Sequence, residues 1–199
     1  MKIKNFVFSI LFTVISFTLF SLNPHITSIP VSSEKSTVSW KGSKLTGSHF
    51  GTINIGKGVL LNDHGKLVGG QFSINMHSII CTDIDSKKKN EYLVSHLKNE
   101  DFFDVEKYPQ SVLTITEVEN IEGDDYNITA DLTIKGITHP INFNANVIIK
   151  DKSFTATTKI IIDRTKWGVV YKSGNIFKDL GDKAIYDDIE FTINLFSNK

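Results

Sequence analysis

The chain has 199 residues, of which 22 are basic, 22 are acidic and 40% are hydrophobic. This length suits one domain with a substantial core. Because the formal charge is balanced and no basic run is longer than Lys87-Lys88-Lys89, no nucleic-acid partner is expected.

The first residues have the composition of an export signal. Lys2 and Lys4 precede a stretch of 17 uncharged residues, Phe6 to Leu22. A short basic region followed by an apolar segment is typical of a secretory signal peptide. We therefore expect a periplasmic or secreted protein.

The cleavage point is less well marked, because no Ala-x-Ala sequence follows the apolar segment. Cuts after Ser21 or Ser28 are both compatible with the pattern. We assign residues 1–28 to the signal peptide and 29–199 to the domain. An uncleaved N-terminal anchor is the alternative; otherwise we expect only transient contact with a membrane.

Three strands are predicted before residue 77. The first, Thr37 to Gly42, carries Val38 and Trp40 on one face. The second covers residues 47–61, and its three glycines indicate bulges or bends of a curling sheet. A turn at 62–65 leads into the third, residues 67–76, where Phe72, Ile74 and Met76 share a face.

A change of periodicity after Ile80 predicts one short helix. Residues 88–97 place Tyr92, Leu93, His96 and Leu97 on one helical side, and Asp85 or Ser86 could cap the first turn. This helix lies in the connection between the third and fourth strands.

Five more strands complete the pattern, at residues 111–119, 126–134, 141–149, 153–163 and 187–196. The second and third of these form an antiparallel hairpin in which apolar and polar residues alternate. Pro140 is expected at the first position of its strand or at a bulge, since proline cannot donate to a ladder.

Eight antiparallel strands with one apolar face can close into a barrel or stack as two sheets. If the strands run up and down in order, both long connections, 79–110 and 164–186, leave the same end. Long ordered connections tend to be functional. We therefore place the mouth at that end, near His96, His139, Arg164, Lys166 and Trp167.

Several ordered sequence blocks resemble one known family. They are Ser36–Trp40, Ser78–Ile80, His96-Leu97 with Asp101–Asp104 and Tyr108-Pro109, Leu132–Thr138, Asp163–Gly168 and Gly181–Asp188. Together they resemble the YceI-like lipid- and polyisoprenoid-binding family over about residues 36–195. One departure is Val94-Ser95, where many members carry charged residues.

The resemblance implies an all-β, eight-stranded antiparallel, lipocalin-like barrel. Such a barrel holds an isoprenoid lipid or a quinone-like molecule for transport, storage or sequestration. The expected lining is Val38, Trp40, Phe50, Phe72, Ile74, Met76, Phe143, Ile160 and Phe191. The head-group candidates at the mouth are His96, Phe102, Phe103, His139, Arg164 and Trp167.

Alternatives remain at three points. The lining residues could fill a closed core, which would make the protein a structural or interaction module without a ligand. Arg164 could pair with a carboxylate of the segment 182–188 and fix the long loop, or it could donate to a ligand head group. His96 could be a packed helix residue. Monomer and dimer are both compatible with the sequence.

Catalytic and metal functions are not expected. Cys81 is the only cysteine, so we interpret it as a small buried hydrophobe, and an exported form has no internal disulfide. His77, Cys81, Asp83 and Asp85 could bind zinc, but their spacing matches no usual ligand set. We expect no catalytic residue, no metal and no cofactor apart from the lipid ligand.

Overall fold

A computed structural model describes residues 25–198 of the chain. In this range the chain forms nine strands and one α-helix. The strands are β1 (Ile26–Pro30), β2 (Thr37–Lys44), β3 (Gly47–Asp63), β4 (Lys66–Cys81), β5 (Gln110–Glu122), β6 (Asp125–Ile134), β7 (Ile137–Lys150), β8 (Ser153–Asp163) and β9 (Ile185–Phe196). The helix, α1, covers Lys87–Lys98.

The strands β2 to β9 close into a barrel. Each strand from β4 to β9 pairs antiparallel with the next, β9 pairs with β2, β2 with β3, and β3 returns to β4. The predicted eight-stranded antiparallel barrel, with one helix before β5, is therefore confirmed. Closure removes most free sheet edges, although residues 137–144 of β7 pair with β6 alone.

A ninth strand, β1, extends the edge that β2 occupies. Both pair with the same side of β3, β1 with Val59–Asp63 and β2 with Gly47–Ile53. Ile29 of β1 is buried in the core. Residues 26–28 belong to the predicted signal peptide, where no strand is expected from the sequence; most of that predicted segment, residues 1–24, lies outside the described residues.

The apolar core lies inside the barrel because inward and outward residues alternate along each strand. In β6, the residues Tyr126, Ile128, Ala130, Leu132 and Ile134 are all buried. Pro140 lies at the fourth position of β7, opposite Asp131, rather than at a strand start or a bulge. This half of β7 pairs with β6 alone, and proline is tolerated on such an edge segment.

The helix α1 is anchored beside the end of β4. Ser86 is its N-cap residue, and the Asn90 side chain donates to the carbonyls of Cys81 (2.9 Å) and Ile84 (3.2 Å). Within residues 25–198, no helix combines the length and the apolar composition needed to cross a membrane.

Gly51 allows the closest approach of β3 to β4. A Cβ atom at this position would lie 1.9 Å from the Ile80 carbonyl oxygen and 2.9 Å from Cys81 Cα. Both are backbone atoms, so neither can move aside without shifting a strand. Glycine is therefore required here by space.

The substitution Gly51→Ala should destabilise the barrel by about 1 to 3 kcal/mol, the usual range for overpacking. Gly42→Ala is the matched control, because a Cβ on Gly42 in β2 meets nothing within 4 Å. Urea unfolding followed by tryptophan fluorescence measures both. Equal stability of the two variants would contradict the assigned role of Gly51.

Candidate ligand-binding site

The barrel contains an apolar cavity of about 330 Å³ at the end from which both long connections leave. Its walls include Trp40 of β2, Ile74 and Met76 of β4 and Phe191 of β9. The helix contributes Leu93 and Leu97. This volume lies at the lower end of the range for ligand pockets.

A second cavity of about 90 Å³ lies towards the other end of the barrel, which has only tight turns. The two cavities share Ile74, Leu113, Ile160 and Ile193 as lining residues. A ligand chain that displaced these shared side chains slightly would therefore reach from one cavity into the other.

The structure distributes the predicted lining residues over both cavities. Trp40, Met76 and Phe191 line the larger cavity, Val38, Phe72 and Phe143 line the smaller one, and Ile74 and Ile160 line both. Further walls that were not predicted from the sequence come from Ile53, Ile79, Leu113 and Ile189. Alternation along their strands could have found Leu113 and Ile189, whereas the inward positions of β4 change parity between Met76 and Ile79.

Phe50 is the exception, and its prediction is corrected. Its side chain is 49% exposed and lines neither cavity. The residues that face inward in this part of β3 are Gly51, Ile53 and Ile55. A register shift between Ile55 and Lys57 exchanges the inward and outward positions of β3. Even-numbered residues such as Leu60 face inward after the shift, but before it the even-numbered residues, including Phe50, face outward.

The aromatic pair Phe102-Phe103 lies at the mouth, where both residues line the larger cavity. His96 on α1 does not line it. Its ring packs edge-on against Phe102 (5.0 Å between centroids) and Tyr171 (4.7 Å), and its Nε2 lies 3.0 Å from Asp101 Oδ2. The structure thus shows His96 as a packed helix residue.

His139 and Trp167 attach the segment after β8 to the barrel wall. Trp167 is buried, and its indole N–H donates to the Leu132 carbonyl at 2.9 Å. His139 Nε2 lies 3.0 Å from the Lys166 carbonyl, which can only accept, so the ring nitrogen donates. Neither side chain lines a cavity.

Arg164 borders the larger cavity, but its donors are directed into the protein. The guanidinium donates to the carbonyls of Val169 (2.5 Å), Ile185 (3.1 Å) and Tyr186 (3.2 Å), and to Asp187 Oδ1 (3.2 Å). Four of its five N–H groups are used in this way.

The ion pair of Arg164 holds the long loop against β9. Asp187 also accepts from Ser173 (2.9 Å) and Asn175 (2.8 Å), both in the loop. Burial lowers the pKa of Arg164, while Asp187 and Asp163 act in the opposite direction. Of the two alternatives for Arg164, the pairing with a carboxylate of the segment 182–188 is the one present.

One residue that lines the larger cavity has an unpaired polar atom. Trp40 Nε1 is buried and has no hydrogen-bond partner among the described residues. A buried donor left unpaired costs about 1 to 3 kcal/mol. A ligand oxygen that reached this N–H would recover that cost.

A polar cluster lies beside the mouth, where β3 begins and β4 ends. Asp83 accepts hydrogen bonds from the Phe50 N–H (2.9 Å), from His49 Nδ1 (2.9 Å) and from the Cys81 thiol (3.1 Å). Burial alone would raise the pKa of Asp83, but these hydrogen bonds outweigh it and hold that pKa below its ordinary range. Burial, and then the bond to Asp83, raise the pKa of Cys81.

This cluster differs from the grouping considered in the sequence. His49, which is distant in sequence, lies against Asp83, whereas His77 and Asp85 are exposed. No sequence spacing could identify His49, because the pairing of β3 with β4 brings it there.

Comparison with known families agrees with the predicted resemblance. The profile of the YceI-like domain matches residues 30–196. A UPF0312 protein of Photorhabdus laumondii is 35% identical over 106 residues, which are 49% of this chain and 50% of that protein. Protein YceI of Escherichia coli is 45% identical over 53 residues, 27% of each chain. These alignments span half or less of the curated relatives.

Two solved structures have the same fold. BcnA of Burkholderia cenocepacia superposes with a TM-score of 0.63 at 21% identity, covering 84% of this chain and 99% of that one. A polyisoprenoid-binding domain of Saccharophagus degradans, implicated in plant cell wall breakdown, gives 0.61 at 13% identity, covering 88% and 99%.

Removing the charge of Asp187 should destabilise the protein by about 3 to 5 kcal/mol, because Asp187→Asn removes the ion-pair partner of the buried Arg164. Glu190→Gln is the matched control on the same strand. Its ion pair with Lys41 is about half exposed, so its loss should cost less than about 1 kcal/mol. Chemical denaturation of both variants tests this, and similar losses would contradict it.

The lowered pKa of Asp83 predicts an acid-dependent loss of stability. The contribution of the Asp83 carboxylate to the free energy of unfolding is complete above its ordinary pKa of about 3.9. This contribution is lost as the pH falls through the lower pKa of the folded state. Unfolding free energy should therefore fall more steeply below about pH 5 in the wild type than in Asp83→Asn. Parallel curves for the two proteins would contradict this assignment.

Proposed function

Because the chain belongs to the YceI-like domain family, we propose that its barrel binds an isoprenoid or another long-chain lipid, of polyprenyl or quinone-like type. The apolar interior carries this proposal, since a cavity of about 330 Å³ continues towards a second one through shared aliphatic walls. The polyisoprenoid-binding domain of Saccharophagus degradans has the same fold, which supports the proposal.

Burial of the ligand chain supplies the affinity. Each CH₂ group transferred from water contributes about 0.8 kcal/mol, so ten carbons contribute on the order of 8 kcal/mol. The loss of translational and rotational freedom costs about 4 to 15 kcal/mol. Burial of a chain of this length therefore offsets the lower part of this cost without an ionic clamp, and each further buried carbon adds to the affinity.

The polar residues at the mouth favour recognition of the chain rather than of a charged head group. His96, His139 and Arg164 all have protein partners for the atoms described above. We therefore propose a carrier or sequestering protein, not an enzyme. The alternative of a barrel filled by its own side chains is disfavoured by the volume of the cavities.

We also propose that the protein is exported through its N-terminal segment. A cut after Ser21 would leave β1 whole, whereas a cut after Ser28 would remove three of its five residues, which pair with Leu61, Asn62 and Asp63. We therefore favour a mature N-terminus that precedes Ile26.

Native mass spectrometry tests these proposals on protein purified without detergent from the periplasm of an expressing bacterium. We expect an adduct of a lipid that an organic extract identifies as a prenyl or other long chain. The mass of the denatured protein shows at which residue the mature chain begins. A bare protein mass, with no rise in Tm on adding polyprenyl lipids or quinones, would contradict lipid binding.

A matched pair of variants on β8 locates the ligand. Ile160 is 6% exposed and lines both cavities, whereas its neighbour Ile161 is 65% exposed on the outer face. Ile160→Phe should narrow the passage and lower lipid occupancy several-fold, while Ile161→Phe should retain it. Unchanged occupancy in a folded Ile160→Phe protein would place the lipid elsewhere.

A further inference from the structure

The cluster of His49, Cys81 and Asp83 combines three metal-binding groups of different chemistry. One ring nitrogen, one thiol sulfur and one carboxylate oxygen lie within 4.8 Å of one another. Backbone hydrogen bonds hold the segment of Cys81 and Asp83 against β3. Thr82 N–H donates to the Phe50 carbonyl, and Phe50 N–H donates to the Asp83 carboxylate, each bond 3.0 Å or shorter.

We propose that His49, Cys81 and Asp83 form a binding site for a divalent cation of the Zn²⁺ class. Thiolate, imidazole and carboxylate are the three protein ligand types that zinc uses. Magnesium and calcium prefer oxygen ligands alone, so the sulfur and nitrogen ligands select against them.

The distances suit a tetrahedral ion after a small adjustment. Zinc bonds of about 2.0 to 2.3 Å place neighbouring ligand atoms roughly 3.3 to 3.6 Å apart. His49 Nδ1 lies 2.9 Å from Asp83 Oδ2, Cys81 Sγ lies 3.1 Å from Asp83 Oδ1, and one ligand atom from each residue lies within 4.8 Å of the others. An entering ion would therefore replace both hydrogen bonds and bring the three ligand atoms to about 3.3 to 3.6 Å from one another. The His49 side chain is 44% exposed, so solvent rather than packed protein covers nearly half of it.

The charges of the site also balance. A thiolate and a carboxylate together neutralise a divalent ion, and the imidazole binds in its neutral form. In the metal-free protein the Cys81 thiol donates to Asp83, so binding through the thiolate releases this proton to solvent. No oxidation or reduction is involved.

Three protein ligands leave one tetrahedral position for another group. Catalytic and exchangeable zinc sites have this arrangement, with water in the open position. His49 also lines the larger cavity, so the ion would lie beside the mouth. The site itself does not depend on the lipid-binding function proposed above.

Cobalt(II) titration of the full chain, purified without a histidine tag and stripped of metal, tests the proposal. We expect a thiolate-to-cobalt charge-transfer band in the near ultraviolet and tetrahedral d–d bands in the visible. Zn²⁺ should abolish both bands and raise Tm, since it binds only the folded state. The absence of the charge-transfer band in the wild type would overturn the proposal.

Two histidine variants show whether the cluster holds the ion. His49→Ala should weaken cobalt binding at least about tenfold, the effect of losing even an outer partner of a metal ligand. His64→Ala is the matched control, because His64 also contacts an aspartate, Asp63, but lies in the opposite turn between β3 and β4. Equal affinity in the two variants would overturn the proposal, as would loss of binding in His64→Ala alone.

Discussion

The pairing of β3 with β4 is the constraint on which the rest of the structure depends. β3 pairs with β4 along one edge and with β1 and β2 along the other, while β2 and β9, the first and last barrel strands in chain order, pair with each other and close the barrel. The pairing of β3 with β4 requires Gly51, since any Cβ there would meet the backbone of β4. With the barrel closed, the inward faces of all strands bury one another and enclose the cavities.

A second constraint keeps the mouth in place. The buried pair of Arg164 and Asp187 attaches the long loop to β9, and Trp167 attaches the same region to β6 through the Leu132 carbonyl. Because four guanidinium donors are used in these bonds, the charge is neutralised inside the protein. The wall beside the cavity therefore stays apolar, which suits a hydrocarbon chain better than a charged ligand.

The proposed lipid site and the proposed cation site lie next to each other at the same end of the barrel. Lipid binding depends on apolar area and on the width of the passage between the cavities, whereas cation binding depends on three polar atoms where β3 and β4 meet. His49 belongs to both surroundings, since it contacts Asp83 and lines the larger cavity. An ion at this position could therefore influence the mouth without contributing to the affinity for the lipid chain.

The sequence by itself determined the eight alternating strands, the helix before β5 and, for an up-and-down order, the end with the long connections, because these follow from local periodicity and chain order. Alternation left a barrel and two stacked sheets open, and the family resemblance implied the barrel. It also indicated the partner of Arg164 within the segment 182–188. Only the tertiary structure decided the rest. Phe50 lies outside because a bulge in β3 reverses the alternation. β1 forms because residues 26–30 pair with the free edge of β3 at Val59–Asp63. His49, rather than His77, meets Cys81 and Asp83, since strand register brings together residues that no sequence spacing connects.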